Sequence, residues 1–130
     1  MPLRSRTLWW GVTLNAPDAR ALARFYARLL DWELTLPPDD PDGASVAPSS
    51  DAGYYLGFQT EPDHQRPVWP AGPGEPQMQM HLEIEVDDLA QAVAHAVGQG
   101  ATIADFQPQA GVRVMIDPAG HPFCLYVVDA

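Results

Sequence analysis

An α+β fold follows from this sequence: two βαβββ modules in one chain, their mixed sheets curled around a cleft and their helices outside. Three observations predict it. Stretches with apolar residues at helical period are interspersed with short stretches of period two. A shift of 70 residues lays Val12-Thr13-Leu14 on Leu82-Glu83-Ile84 and Asp18 on Asp88. A proline-rich segment separates the two halves. A repeat of this length outweighs any single short motif. The expected boundaries are about 7–60 for module one, about 61–77 for the linker and about 78–129 for module two.

In order along the chain, Trp9 to Ala16 reads as a strand with Trp10, Val12 and Leu14 on one face. Pro17 to Leu30 reads as a helix, because Leu22, Phe25, Tyr26 and Leu29 form one apolar stripe. Pro17 suits its first position and Asp18 the positive end of its dipole. Arg20, Arg24 and Arg28 stand four apart and read as its solvated face. Trp32 to Leu36 and Tyr54 to Gln59 are strands, with only a weak strand signal near Ser45 to Ala47. Pro37 to Asp51 reads as a loop, and Glu61 to Gln77, with five prolines and two glycines, as a linker. His81 to Val86 alternates polar and apolar residues, the pattern of a strand with one buried face. Asp87 to Gln99 is a helix with Leu89, Val93, Ala96 and Val97 inward and Gly100 as its cap. Ala101 to Phe106, Arg113 to Ile116 and Phe123 to Val128 complete the second module.

Composition excludes several functions. The 130 residues suffice for one domain with a single core. Seventeen acids against seven bases, all arginine, leave a net charge of −10, which opposes a nucleic-acid groove or an anionic membrane surface. No apolar run approaches the roughly 20 residues of a membrane helix. Met1 to Gly11 has Arg4 and Arg6 but lacks the apolar core of a leader, so a cytoplasmic location is expected. One cysteine, Cys124, excludes an internal disulfide and a multi-cysteine zinc site. Asp39, Asp40 and Asp42 before Gly43 lack the spacing of a calcium loop and read as a solvated acidic turn.

With these elements placed, the chain resembles the glyoxalase/bleomycin-resistance/dioxygenase superfamily, also called vicinal oxygen chelate proteins. The resemblance covers about Leu8 to Val128. It rests on Pro17-Asp18 with Phe25-Tyr26 and Leu29, on His81 through Leu89, and on Asp117-Pro118-Ala119-Gly120-His121-Pro122-Phe123-Cys124-Leu125. The last stretch carries the Asp-Pro-x-Gly turn that feeds the final strand in such proteins. His121 stands in that turn where Asn is common, a structural role, and His64 and His95 read as exposed or turn-bound.

In metal-dependent members, three or four His and Glu side chains hold a divalent ion that acts as a Lewis acid on the substrate. The resemblance places His81 at one such position. Its repeat partner is Gly11, the last-strand position is Cys124, and the remaining one falls near Gly57. One nitrogen and one sulfur make a weak site, and glycine cannot ligate. The expectation is no catalytic metal and no cofactor.

Each candidate residue also has a plainer reading. His81 serves as a ligand contact, a base or a metal ligand, or is held by polar neighbours. Glu83 and Glu85 share its strand face and would support proton transfer if burial raised a pKa, or else line the cleft mouth. Cys124 is a nucleophile, a soft ligand or a small apolar filler. Trp9, Thr13, Tyr55, Gln59, Met115 and Tyr126 are expected to face the same cleft, lining a site for a flat or bulky molecule or else filling a closed core or dimer contact. Trp69 is a flap or a packing anchor.

The favoured expectation is metal-independent binding of a small organic molecule, as in drug-sequestering resistance proteins of the superfamily, by a cytoplasmic homodimer. Two alternatives stand beside it. One is a metal-dependent lyase, isomerase or ring-cleaving dioxygenase, or a metal-free enzyme using His81 and Glu83; three retained ligand positions would mark the metal enzyme. The other is an auxiliary module that binds protein, which a cleft too small for any ligand would favour.

Overall fold

Asp18 and Asp88 start the two helices in the same way. In the computed structural model, which describes Leu3 and residues 5–128, Asp18 accepts hydrogen bonds from Arg20 N and Ala21 N, and Asp88 from Gln91 N. Both are extended N-cap residues, whose carboxylates satisfy amides left open by the first turn. Pro17 therefore precedes the cap and is not the first helical residue. Arg4 and Asp129 lie outside the described residues.

The chain divides into two compact units, Met1–His64 and Gln65–Ala130. The first holds β1 (Trp10–Ala16), α1 (Ala19–Leu30), β2 (Glu33–Thr35), β3 (Gly43–Ala47) and β4 (Tyr54–Thr60), with sheet order β1-β4-β3-β2. The second holds β5 (Leu82–Glu85), α2 (Leu89–Gln99), β6 (Thr102–Ile103), β7 (Val112–Ile116) and β8 (Pro122–Tyr126), with order β5-β8-β7-β6. In each, the first and last strands pair in parallel and the other neighbours are antiparallel. This is an α+β fold of two repeated βαβββ modules. Among the described residues no helix is long and apolar enough to cross a membrane.

The first core lies between α1 and its sheet. Leu22, Phe25 and Tyr26 are buried, and the Tyr26 ring stacks on Phe58 of β4 at 5.6 Å. Since alternate strand residues face opposite ways, Leu56 and Phe58 take the helix side with Ala44 and Val46 of β3. β3 is a full interior strand inside the segment read as a loop. Its small residues carry a weak strand signal, and pairing on both sides with β2 and β4 supplies what propensity does not. Arg20 also departs from the solvated row: its Nη2 donates to Pro37 O at 2.6 Å and Asp40 O at 3.1 Å, fastening the β2–β3 loop to α1.

In the second unit, Met115, Phe123, Leu125 and the helix residue Ala96 are buried. α2 is covered less than its stripe predicts, since Val97 remains exposed. Gly100 caps it with φ 121°. β6 is only two residues long, because the Gln107 side chain takes over its pairing. Gln107 Nε2 donates to Ala104 O and Val114 O, and its Oε1 accepts from Val114 N at 2.8 Å. Residues of the proline-rich segment are tied into this unit: Val68 N donates to Pro76 O, Arg66 Nη1 to Pro118 O and Trp69 Nε1 to Phe106 O. Trp69 packs on Phe106 and is an anchor there.

Candidate functional site

The sheet face turned away from α1 carries the odd-numbered residues of β1, β3 and β4. Register sets Gly11 beside Tyr55, Thr13 beside Gly57 and Asn15 beside Gln59, with Ser45 across from Gly57. Thr13, Tyr55 and Gln59 are exposed there, and the Trp9 ring lies 6.4 Å from that of Tyr55.

Gly11 has a specific consequence. A Cβ built on it would meet Tyr55 ring atoms at 2.5–2.6 Å, so the phenol ring lies flat across the glycine backbone. β1 is an edge strand, and covering a bare edge glycine with a cross-strand aromatic stabilises such a position. The sequence leads one to expect that Gly11 and Gly57 leave open space. Tyr55 fills the part over Gly11, and at Gly57 a Cβ would stand 2.7 Å from Thr13 Oγ1.

Tyr55 helps to line two depressions. One, about 560 Å³, is lined by Thr13, Asp40, Asp42, Ser45, Tyr55 and Gln59 among others. The other, about 330 Å³, is lined by Trp9, Glu33, Thr35, Ser45, Ala47 and Tyr55 with Ser49 and Ser50. Both fall near the lower end of the range of small-molecule sites.

In the second unit the matching face holds Glu83 and Glu85 of β5 with Cys124 and Tyr126 of β8, in register Glu83 beside Cys124 and Glu85 beside Tyr126. His81, just before β5, brings its Nε2 to 3.6 Å from Glu83 Oε1. Leu82 pairs with Phe123 as Val12 pairs with Leu56, which makes Gly57 the counterpart of Cys124. Met115 is a correction: it pairs with Phe123, is wholly buried, and belongs to the core, while Val114 is the β7 residue beside Cys124. A one-residue error in strand phase moves a side chain to the opposite face. Of the nine expected site residues, Trp9, Thr13, Tyr55 and Gln59 gather on the first sheet, and His81, Glu83, Cys124 and Tyr126 on the second. Asp40 and Asp42 are exposed, as a solvated acidic turn requires, and also line the first depression, in a loop tied to α1 by Arg20.

Burial, and next to it the negative charge of Glu83, push the Cys124 thiol above its ordinary pKa. A raised pKa lowers the thiolate fraction and with it the nucleophilicity of Cys124. Alkylation by iodoacetamide at pH 8 should run more slowly than that of free cysteine. The rate should rise only at more alkaline pH, and Glu83→Gln should move that rise toward lower pH. A profile matching free cysteine would contradict this environment.

Among the described residues, no three His, Cys, Asp or Glu side chains are grouped to hold a metal ion. At the positions expected from the superfamily, Gly11 and Gly57 carry no donor, Gly11 is covered by Tyr55, and Cys124 offers one sulfur. The donor set present does not fit a divalent metal of the superfamily type.

Several solved structures share the fold. A hypothetical protein from S. aureus matches with a TM-score of 0.67 at 15% identity, over 98% of this chain and 96% of that one. A glyoxalase/bleomycin resistance protein/dioxygenase family enzyme from Burkholderia phytofirmans PsJN has a TM-score of 0.66 at 16% identity, covering 92% and 97%. A fosfomycin resistance protein from Mesorhizobium loti has 0.62 at 12% identity, covering 92% and 91%. Among curated proteins, none matches in sequence. The family model described as a glyoxalase-like domain matches residues 11–126. That span runs from β1 to the last residue of β8 and takes in both repeats, so the chain belongs to the glyoxalase-like domain family.

Proposed function

We propose that this protein binds a small organic molecule, without a metal, on the open sheet face of its first module. The observation that carries the reading is the Tyr55 ring lying over Gly11, with two depressions that Tyr55 helps to line. Where the superfamily pattern calls for a metal ligand, this chain presents an aromatic surface beside Trp9, Thr13 and Gln59. Such a mixture of ring surface and a few polar groups suits a flat organic molecule. His81, Glu83, Cys124 and Tyr126 lie on the corresponding face of the second unit, which we propose as a separate set of ligand contacts. Capture without turnover, the mode of drug-sequestering members of the superfamily, is part of the same proposal.

The reading includes a cytoplasmic homodimer whose partner covers exposed sheet edges; sedimentation showing only monomer would overturn the dimer. The test of metal independence is metal content by mass spectrometry on untagged protein, with melting temperature followed across a divalent-metal series. Empty protein, indifferent to added metals, is expected. Near-stoichiometric metal, or a shift of several degrees abolished by His81→Ala, would overturn it.

A further inference from the structure

The proline-rich segment is more than a tether. From Arg66 to Pro76 its main chain bonds only to itself among the described residues: Val68 N donates to Pro76 O at 2.8 Å and Glu75 N to Gly72 O at 3.1 Å. No residue of this stretch is buried. Two side-chain donors fasten it to main-chain carbonyls of the second unit. Arg66 Nη1 donates to Pro118 O at 2.8 Å, and Trp69 Nε1 to Phe106 O at 3.3 Å, with the Trp69 and Phe106 rings 6.0 Å apart.

The two fastenings have different targets. Arg66 lies along the turn between β7 and β8. A Cβ on Gly120 would stand 3.0–3.1 Å from Arg66 Cβ, Cγ and Cζ, so the arginine seats there because the turn carries a glycine. Asp117 holds the same turn from within, accepting from Ala119 N and His121 N, and Gly120 N donates to Asp117 O at 2.9 Å. Trp69 bonds instead to the segment that follows β6.

Only Pro67 and Val68 separate Arg66 from Trp69, and Pro67 and Pro70 restrict the arm that carries both. Once one side chain is seated, the other is held near its carbonyl, so each raises the effective concentration of the other. A surface segment with no buried residue opens at a lower free energy than the unit that carries it.

We propose that residues 66–76 are a latched strap that sets the mobility of the β7–β8 turn, and through it the access of reagents to Cys124. Arg66 and Trp69 open together, and the turn loosens with them. β8 begins at Pro122, directly after the turn, and Cys124 is half-buried two residues further on. A strand end loosened at the turn therefore uncovers the thiol early.

Amide hydrogen exchange of the full chain, followed by NMR, tests the coupling, with Val68 reporting the strap and Gly120 the turn. Arg66→Ala removes one latch and Trp69→Ala the other. Relative to intrinsic rates, each variant should speed both amides at least about fivefold. The decisive readings are the crossed ones, Gly120 in Trp69→Ala and Val68 in Arg66→Ala. Trp69→Phe keeps a ring and loses only the donor, so its acceleration should be smaller. Alkylation of Cys124 by iodoacetamide should rise at least about twofold in both alanine variants. Arg24→Ala removes an exposed arginine of α1, makes the same change in charge as Arg66→Ala, and should leave all three rates unchanged. Amides in the middle of α2 report opening of the whole unit and should keep their rates.

A Gly120 rate unchanged in Trp69→Ala, or a Val68 rate unchanged in Arg66→Ala, would make the two contacts independent and overturn the strap. Equal acceleration of the α2 amides would overturn it as well, since the whole unit would then be opening. Faster exchange at both amides with Cys124 alkylation unchanged would overturn the control of the thiol.

Discussion

Tyr26→Ala should lower the unfolding free energy by about 3–5 kcal/mol, the range for removing a large buried ring. Tyr26 is fully buried, meets Phe25 edge-on at 4.8 Å and stacks on Phe58 at 5.6 Å. It therefore joins α1 to the interior strand β4, and its loss leaves a cavity that neighbours on a regular helix and sheet fill poorly. Tyr26→Phe keeps the ring and should cost no more than about 1.5 kcal/mol. Urea unfolding followed by circular dichroism and tryptophan fluorescence measures both. A Tyr26→Ala loss below about 1 kcal/mol would show that the ring stack contributes little.

Asp117→Ala should cost about 2–4 kcal/mol, since hydrogen bonds to a charged group are stronger than neutral ones. Asp117 is 2% exposed, and its Oδ1 accepts from both Ala119 N and His121 N at 2.9 Å. Alanine would leave two donors without their acceptor in a turn that also needs Gly120 at φ 93°. Asp117→Asn retains a carbonyl oxygen for the same two amides and should lose less than half as much. If Asn and Ala variants melt together, the two hydrogen bonds are not what holds the turn. The turn leads directly into β8, so loosening it should also raise the alkylation rate of Cys124.

The repeat was legible because the residues that set it are chemically conspicuous. Asp18 and Asp88 differ by 70 positions and both cap helices, and the alternation from His81 to Val86 gives β5 its face directly. Helix 1 was visible from its stripe, for Leu22, Phe25 and Tyr26 are all buried. β3 was not, since Gly43, Ala44 and Ser45 have little strand preference of their own and are held by two neighbours. β6 was overextended because a side-chain amide, that of Gln107, stands in for strand backbone, and no period in the sequence records that substitution.

The site was legible in part for the same reason. Strand alternation put Thr13, Tyr55 and Gln59 on one face correctly. It failed for Met115, where Met115 and Val114 are both apolar and the sequence offers no means of telling inward from outward. The direction of the Tyr55 ring is a matter of rotamer and cross-strand register, which a linear reading does not contain. Asp40 is exposed in its acidic turn as the sequence implies, while the tie from Arg20 to its carbonyl is a long-range contact that no local pattern records.

The contact between Tyr55 and Gly11 also bears on how substitutions at the two positions combine. A side chain introduced at position 11 would strike the phenol ring unless that ring turned away, and removing the ring alone would leave a bare glycine on an edge strand. The two positions are therefore coupled, and the effect of changing both is not the sum of the two single changes. Redesign of this face has to treat them as one unit.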